Sequence, residues 1–328
     1  HRLERAAPLA HDSVVLSGGQ VTDHGPPSLV LPGLTGAPAV AHLATVLGWD
    51  RAPLTVREAR TLLRSHGRPA WAGEDATPPA VHAGPTPGEI LVEAIGVTVA
   101  HGSNTVVRDV DLSLRAGEVV ALLGRNGSGK TTLLRTLAGA HQPVAGSVRA
   151  NVPVAHVPQE PDSLLYAETV RGEVEATLRL LGRRDPAAVE RWLTDLRLGP
   201  LADRHPRTLS VGQRQRVAIA AVAVGDAAVL ALDEPTRGID AASLDALEAA
   251  VVAHRDQGGA VIIATHEVEL AARVASRVVV LGDGQLVAEG PTRHVLAGSL
   301  FAPQTLRVLP PFLTVAEVAE ARRIGTSG

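Results

Sequence analysis

The chain of 328 residues contains no cysteine, and only 2% of its residues are aromatic. The absence of cysteine excludes disulfides and thiolate metal sites, and it suits a reducing compartment. Because apolar residues still make up 45% of the chain, aliphatic side chains must pack the core. Long apolar runs are missing too. The runs Val217 to Val224 and Ala227 to Leu232 end at a Gly-Asp pair and at an acid, far short of the roughly 20 residues of a membrane span.

An excess of charge of one sign is also absent. The formal net charge is -3, and no strongly basic block stands out. Proteins that bind nucleic acid normally carry a basic patch or arm that neutralises phosphates. We therefore expect no nucleic-acid partner.

What the sequence does contain is short aliphatic runs that alternate with helical patterns. Buried strands are predicted for residues 118–124, 227–235 and 259–267. Helices are predicted for residues 170–182, 243–257 and 267–275. Aliphatic strands that alternate with helices indicate a mostly parallel α/β sheet with both faces covered.

An internal repeat relates the beginning of the sequence to a later part. Residues 1–26 align without gaps with residues 266–291 and share twelve identities, including His1 with His266 and Gly25-Pro26 with Gly290-Pro291. A second echo follows, in which "LTVREA" at 54–59 resembles "LTVAEV" at 313–318. Similar helix-strand-turn composition could produce such matches by convergence. The single register and the shared His, Gln and Gly-Pro favour a repeat on the scale of a domain.

The sequence "GRNGSGKTT" at Gly124–Thr132 fits the phosphate-loop pattern G-x-x-x-x-G-K-[ST]. A predicted strand precedes it and a helical pattern follows, so backbone N–H groups and a helix N-terminus can cradle phosphates. A glycine-rich turn with an incidental lysine is the alternative, and the strand and helix on either side disfavour it. We expect Lys130 to reach the β- and γ-phosphates and Thr131 to bind Mg²⁺. The predicted ATP contacts are Gly124, Asn126, Gly127, Ser128, Gly129, Lys130, Thr131 and Thr132.

The aliphatic strand "VLALDEP" at 229–235 ends in two acids. Many strands end in acids for solvation alone, but this one follows the phosphate loop by about 100 residues. We predict that Asp233 holds the Mg²⁺ through its water shell and that Glu234 polarises the attacking water.

The sequence "LSVGQRQRVAIA" at 209–220 lies between the phosphate loop and that strand. By itself, Ser-x-Gly-Gln would indicate an ordinary capped helix start. In this order, the three motifs resemble the ATP-binding-cassette (ABC) ATPases, and the resemblance covers about residues 89–300. It implies an α/β P-loop NTPase (RecA-like) core with a mostly parallel sheet, an antiparallel β subdomain and an inserted helical signature subdomain.

The resemblance also implies roles for single residues. Ser210, Val211, Gly212 and Gln213 match the signature motif, which contacts the nucleotide held by an opposite subunit. Gln159 matches the glutamine that senses Mg²⁺, Asp240 matches a loop at the dimer interface, and His266 matches the switch histidine at the γ-phosphate. With Lys130 and Glu234, His266 completes the predicted catalytic set.

Two positions depart from the family pattern. Val211 replaces the first glycine of the usual Leu-Ser-Gly-Gly-Gln, which puts the local geometry in question. His101 stands where the family usually stacks the adenine on an aromatic residue, often tyrosine. Because imidazole offers less stacking surface than a phenol ring, weaker nucleotide binding or looser base selectivity is expected.

The repeat and the resemblance together predict how the chain is divided. Residues 1–66 are expected to be the C-terminal remnant of a first ABC ATPase domain, with His1 as its switch histidine and no natural start at residue 1. Residues 67–88 are rich in Gly, Pro and Ala and are predicted to be a linker. A complete ATPase domain follows at 89–300, with its helical subdomain at about 160–222, and a tail at 301–328.

The sequence after Gln159, together with "PPFLTVAEVAEA" at 310–321, resembles the tandem ATPases of energy-coupling factor (ECF) and cobalt-type importers, which serve vitamins and transition-metal ions. This implies ATP hydrolysis coupled to transport, with ATP and Mg²⁺ as cofactors. The implied partners are a transmembrane subunit and a second cassette, either a first domain or another copy. The implied location is peripheral, at the cytoplasmic face of the cell membrane. Two alternatives remain open: a soluble ABC ATPase that does not transport, and a nucleotide-binding fragment that is inactive without a first cassette.

Overall fold

The structure is a computed structural model that describes residues 3–17, 19–73, 76–79 and 84–326. Up to residue 79 it contains helix α1 (Leu3–Ala6), strands β1 (Ser13–Ser17) and β2 (Gln20–Gly25), and helices α2 (Pro27–Val30), α3 (Ala39–Leu47) and α4 (Val56–His66). The chain continues through β3 (Ile90–His101), β4 (Asn104–Arg115), β5 (Val119–Leu123), α5 (Lys130–Leu137), β6 (Ala145–Ala150), β7 (Val154–Val157), α6 (Val170–Leu180), α7 (Pro186–Asp195) and α8 (Val211–Ala223). It ends with β8 (Val229–Asp233), α9 (Ala241–Asp256), β9 (Ala260–Thr265), α10 (Val268–Val274), β10 (Arg277–Gly282), β11 (Gln285–Pro291), α11 (Thr292–Ala297), α12 (Gln304–Val308) and α13 (Val315–Thr326).

The largest sheet has six strands in the order β11-β10-β5-β9-β8-β7. Only β11 runs antiparallel to its neighbour. Every residue of β5, β8 and β9 is buried, as the continuous aliphatic runs predict for strands covered on both faces. A separate antiparallel sheet has the order β4-β3-β6, and α6, α7 and α8 are inserted between β7 and β8. The predicted α/β architecture, with a mostly parallel sheet and an antiparallel sheet, is confirmed.

Contacts divide the chain into two compact units, Gly84–Val295 and a second unit that joins His1–Ala83 with Leu296–Gly328. The second unit therefore combines the described residues of the predicted remnant with those of the predicted tail. In its core, α3 contacts both α12 and α13. Phe312 is fully buried there, with its ring 6.2 Å from that of Trp71. Trp71 belongs to the predicted linker, so part of that segment packs onto this core.

The sequence repeat has a structural counterpart. In the β1–β2 hairpin, Val14 lies opposite His24, and in the β10–β11 hairpin, the equivalent Val279 lies opposite Glu289. Each hairpin also shifts register at the equivalent step, after Val15 and after Val280. His1, which aligns with His266, lies outside the described residues.

The second echo also forms equivalent structure. Glu58 N donates to Thr55 Oγ1 at 3.1 Å, and Leu54 N donates to Glu58 Oε2, so α4 begins with a reciprocal cap. The equivalent pair Thr314 and Glu317 makes the same two bonds at the start of α13. Both helix starts follow from the shared Thr-x-x-Glu sequence.

Candidate functional site

The phosphate loop occupies the turn between β5 and α5, at the carboxyl end of a central strand. Three of its glycines stand where a residue with a side chain would be strained or would clash. Gly127 and Gly129 have φ of +84° and +99°, a region that L side chains rarely adopt. A Cβ on Gly124 would overlap the Leu281 carbonyl and the Ser128 hydroxyl. The loop therefore keeps backbone amides free of side-chain bulk at the start of a helix, which is the arrangement that binds phosphate.

Lys130 lies at the centre of the loop and is only 6% exposed. Its Nζ donates to the carbonyls of Gly124 at 2.9 Å and Arg125 at 3.2 Å. The same ammonium lies 3.8 Å from Glu234 Oε1. The loop thus fixes its own lysine through two of its backbone carbonyls.

Thr131 connects the loop to the end of β8. Its Oγ1 donates to Asp233 Oδ2 at 2.7 Å, across 102 residues of sequence. Asp233 is 1% exposed, and its second oxygen, Oδ1, has no hydrogen-bond partner. Burial raises the pKa of Asp233, and the neighbouring Glu234 raises it further, while the Thr131 hydrogen bond and Lys130 oppose this shift.

Glu234 directly follows Asp233 and faces β9. Its Oε2 lies 2.8 Å from His266 Nδ1 and accepts a hydrogen bond from Thr265 Oγ1 at 3.4 Å. The Glu234 backbone has φ of +47°, an unfavourable value for a residue with a side chain, and strain of this kind is concentrated at functional sites. Its amide donates to Ala264 O at 2.8 Å, which ties the strained residue to β9.

These residues fit a magnesium nucleotide. At the phosphate loop and the end of β8, three buried oxygens lack hydrogen-bond partners, namely Ser128 Oγ, Asp233 Oδ1 and Glu234 Oε1. Magnesium usually takes one or two protein oxygens and completes its shell with water and substrate phosphate. Across the described ranges, no group of three or more His, Asp or Glu side chains could enclose a metal. Thr131 and Asp233 match the open type of site.

The structure brings His101 to the phosphate loop, whereas it shows no contact of Gln159 with the described residues of this cluster. Gln159 is exposed two residues beyond β7, and it makes no hydrogen bond to the unpaired Asp233 Oδ1. His101 ends β3 and is exposed, with its Nε2 3.5 Å from Thr132 Oγ1. The ring of His141 lies edge-on, with its centroid 5.3 Å from that of His101. Sequence reasoning missed His141, and no motif marks a residue 40 positions away as a neighbour.

The signature segment begins α8. Ser210 Oγ accepts from Gln213 N at 3.2 Å, and Gln213 Oε1 accepts from Ser210 N at 2.9 Å, so the two residues form a capping box. Gly212 is buried, and a Cβ there would overlap the backbone of Gly238. Val211 is 46% exposed and its Cγ1 lies beside the same Gly238. Sequence reasoning missed Gly238, although a glycine just before Asp240 was a visible signal.

Asp240 has a local role as the N-cap of α9. Its carboxylate accepts from Ser243 N and Ser243 Oγ, each at 2.9 Å. Against the opposing effect of desolvation, these bonds lower the pKa of Asp240. The residue is exposed at the surface, so its carboxylate is both fixed in direction and open to solvent.

No helix in the described part of the chain combines the length and the apolar character that crossing a bilayer requires.

Comparison with known proteins gives consistent matches. Residues 107–237 match the ABC transporter family. A putative ABC transporter ATP-binding protein of Streptomyces coelicolor is 38% identical over 98% of this chain, and the chain spans 64% of that relative's length. The nickel import ATP-binding protein NikO of Rhodobacter capsulatus is 36% identical, with 67% of this chain matching 96% of NikO.

Solved structures show the same fold. A structure of cbiO1 from Clostridium perfringens, described as part of the ABC transporter complex cbiONQ, aligns with a TM-score of 0.59 and 25% identity, covering 68% of this chain and 96% of that one. The predicted P-loop NTPase fold is therefore confirmed. Taken with the matched motifs, these similarities show that the chain belongs to the ABC transporter family of ATP-binding proteins.

Proposed function

We propose that this chain hydrolyses ATP to drive a membrane importer of the energy-coupling factor type, carrying vitamins or transition-metal ions. The observation that carries the proposal is the meeting of Lys130, Glu234 and His266 at the phosphate loop, with the Thr131–Asp233 pair beside them. A site that only held nucleotide would not need a buried, strained carboxylate held by a histidine.

Each residue has a chemical task in this proposal. The amides of residues 124–132 and the Lys130 ammonium bind the β- and γ-phosphates and stabilise the charge that develops on them. Thr131 and Asp233 would hold the bound Mg²⁺, which would neutralise phosphate charge. Gln159, two residues after β7, would join them as a ligand when the site is filled. Glu234 orients the attacking water and accepts its proton, while His266 holds the Glu234 carboxylate.

A complete site requires a second cassette. The signature residues Ser210 and Gln213 cap α8 within their own chain, and Ser210 is exposed at the helix N-terminus, where it can meet the phosphate of another subunit. Asp240 is exposed with a fixed carboxylate, which suits a residue that crosses a dimer interface. The second cassette is either a first domain or another copy of this chain.

Two further features favour an importer at the cytoplasmic face of a membrane. The names of NikO and of the cbiONQ complex point to import and to a multi-subunit transporter in those proteins. In the helical insertion of this chain, Tyr166, Leu180 and Leu181 are 84%, 89% and 53% exposed. Exposed apolar side chains after Gln159 offer a surface for a transmembrane subunit, because such groups gain free energy when a partner covers them.

The test is magnesium-dependent ATPase activity of the purified chain at increasing protein concentration, with Lys130→Ala as the inactive control. Activity per chain that rises with concentration supports catalysis between paired copies. Flat activity at the Lys130→Ala level, with ATP still bound, supports the alternative of a nucleotide-binding fragment that needs a first cassette.

A second variant tests the catalytic assignment. Glu234→Gln should bind ATP but lose about 10²- to 10⁴-fold in turnover, the usual contribution of a general base. Normal turnover by Glu234→Gln would show that another group activates the water. Co-purification of the chain with a membrane protein rather than with RNA separates a transporter from a soluble ABC ATPase.

A further inference from the structure

The turn between α6 and α7 exposes two neighbouring leucines among arginines. Residues 179–184 have the sequence "RLLGRR", and all six are exposed. We call this segment the α6–α7 tip. Leu180 is 89% exposed and Leu181 is 53% exposed. Single leucines are common on protein surfaces, but an adjacent pair flanked by charges of one sign indicates a partner that is both apolar and of the opposite charge.

The fold holds this tip in a defined shape. The buried residues of α6 share one helix face, namely Val170, Glu173, Val174 and Leu178. Beyond them, Gly182 has φ of +66°, and Arg183 N donates to Leu178 O at 2.8 Å, which closes the last turn of the helix. The exposed position of the two leucines is therefore part of the fold.

The tip is positively charged although the whole chain is not. The chain carries a formal net charge of -3, and the tip contains no acid. Two acids lie beside it. Asp226 accepts from Arg183 Nη2 at 2.6 Å, and Asp185 caps α7 by accepting from its first turn. Arg179 and Arg184 are exposed on either side of the leucines and carry the remaining positive charge of the tip.

We infer that the α6–α7 tip contacts the headgroup layer of an anionic lipid membrane. In such a layer the phosphates lie directly above the acyl chains, so arginines can bind phosphate while neighbouring leucines enter the apolar boundary below it. The inference rests on the proposed location of the chain at a membrane. It narrows the partner of Leu180 and Leu181 from a transmembrane subunit to the lipid beside that subunit.

Vesicle flotation of the full chain tests the inference. The probes are vesicles of phosphatidylcholine alone and vesicles with equal shares of phosphatidylcholine and phosphatidylglycerol. The test variants are Leu180→Ser and Arg184→Gln. Their matched controls are Leu300→Ser, at a leucine that is 99% exposed outside the tip, and Arg207→Gln, at an exposed arginine elsewhere in the helical insertion. All four positions are exposed, so the fold tolerates these changes.

The unchanged chain should bind the phosphatidylglycerol vesicles about tenfold or more tightly than the phosphatidylcholine vesicles, and added salt should weaken this binding. Arg184→Gln should lose about fivefold in affinity, the contribution of one basic residue near an anionic surface. Leu180→Ser should lose about tenfold, because it removes an apolar side chain from the boundary layer. Both control variants should bind like the unchanged chain.

Three results would overturn the inference. The first is equal binding to the two kinds of vesicle. The second is equal affinity of the tip variants and their matched controls. The third is no binding to either vesicle, which would leave a protein as the partner of the tip.

The phosphate loop is a second place where a lipid phosphate could bind, so the Lys130→Ala chain is a further control. It should bind vesicles as tightly as the unchanged chain, with or without ATP. Loss of vesicle binding in Lys130→Ala would assign the binding to the phosphate loop and would also overturn the inference. Because vesicle binding needs no hydrolysis, ATPase activity of the same preparations tests the proposed function separately.

Discussion

Thr131→Ala separates the structural role of the Thr131 hydroxyl from its role in metal binding. In the folded chain, Thr131 Oγ1 is the hydrogen-bond donor to Asp233, whose other oxygen already lacks a partner. The substitution would leave a 1% exposed carboxyl group without this bond. Thr131→Ser keeps the hydroxyl and is the matched control.

The size of the effect follows from two contributions, the lost hydrogen bond and the helix propensity of the new residue. A hydrogen bond to a charged group contributes about 1.5 to 3 kcal/mol to stability, and leaving a buried acceptor unpaired costs a similar amount, so the two describe one loss. The higher helix propensity of alanine returns up to about 0.7 kcal/mol at the start of α5. The net loss should be about 1 to 2 kcal/mol, or about 2 to 8 °C in melting temperature for a domain of 150–250 residues.

Calorimetry without nucleotide measures this loss, and repetition with Mg²⁺ and a non-hydrolysable ATP analogue measures metal binding. Thr131→Ala should melt lower than the unchanged chain and gain less stability from Mg²⁺, while Thr131→Ser should match the unchanged chain in both. If Thr131→Ser loses as much stability as Thr131→Ala, the hydroxyl is not the source of the effect, and the reasoning from the Asp233 hydrogen bond fails.

Three further predictions concern single positions. The folded-state pKa of Asp233 is raised, so its contribution to stability is full below the unfolded pKa of about 3.8 and is lost as pH rises through the folded value. Without Mg²⁺, the Asp233→Asn chain should therefore melt higher than the unchanged chain at pH 7. Thermal melts from pH 4 to 8 should show this difference in melting temperature shrinking as the pH falls. Gly212→Ala should lose about 1 to 3 kcal/mol in denaturant unfolding, because its Cβ would overlap the backbone of Gly238, while Gly199→Ala, with nothing within 4 Å, should be nearly neutral; equal losses would contradict the packing argument. His101→Tyr should tighten binding of a fluorescent ATP analogue by about 2- to 10-fold, the gain expected from a better stacking ring, and unchanged binding would argue against a base contact at this position.

The motifs that the sequence reveals are those that fold locally. The phosphate loop from Gly124 to Thr132 is one strand-turn-helix segment, and the strand that ends at Asp233 is a single buried run, so periodicity and turn residues are sufficient to predict them. The repeated segments form equivalent hairpins for the same reason. Its residues specify the turn at Gly19 and at Gly284, where φ is +81° and +79°, and each hairpin closes over a few residues.

The contacts that complete the site could not be predicted from the sequence. Thr131 meets Asp233, and Glu234 meets His266, because β5, β9 and β8 are adjacent in the sheet although they are far apart in the chain. The packing of Gly212 against Gly238 depends in the same way on how the inserted helices approach the end of β8. Periodicity describes one element at a time and contains no information about strand order.

The sequence by itself therefore determined the kind of chemistry, since a phosphate loop needs its glycines, lysine and threonine in one short segment. The tertiary structure decided which polar side chains meet at that loop, and it joined described residues before 80 with described residues after 295 in the core that contains Phe312. It also left Val14 and Leu16 exposed while their equivalents are buried. Burial depends on the strands and helices that pack against a residue, and a residue's own sequence does not specify those neighbours.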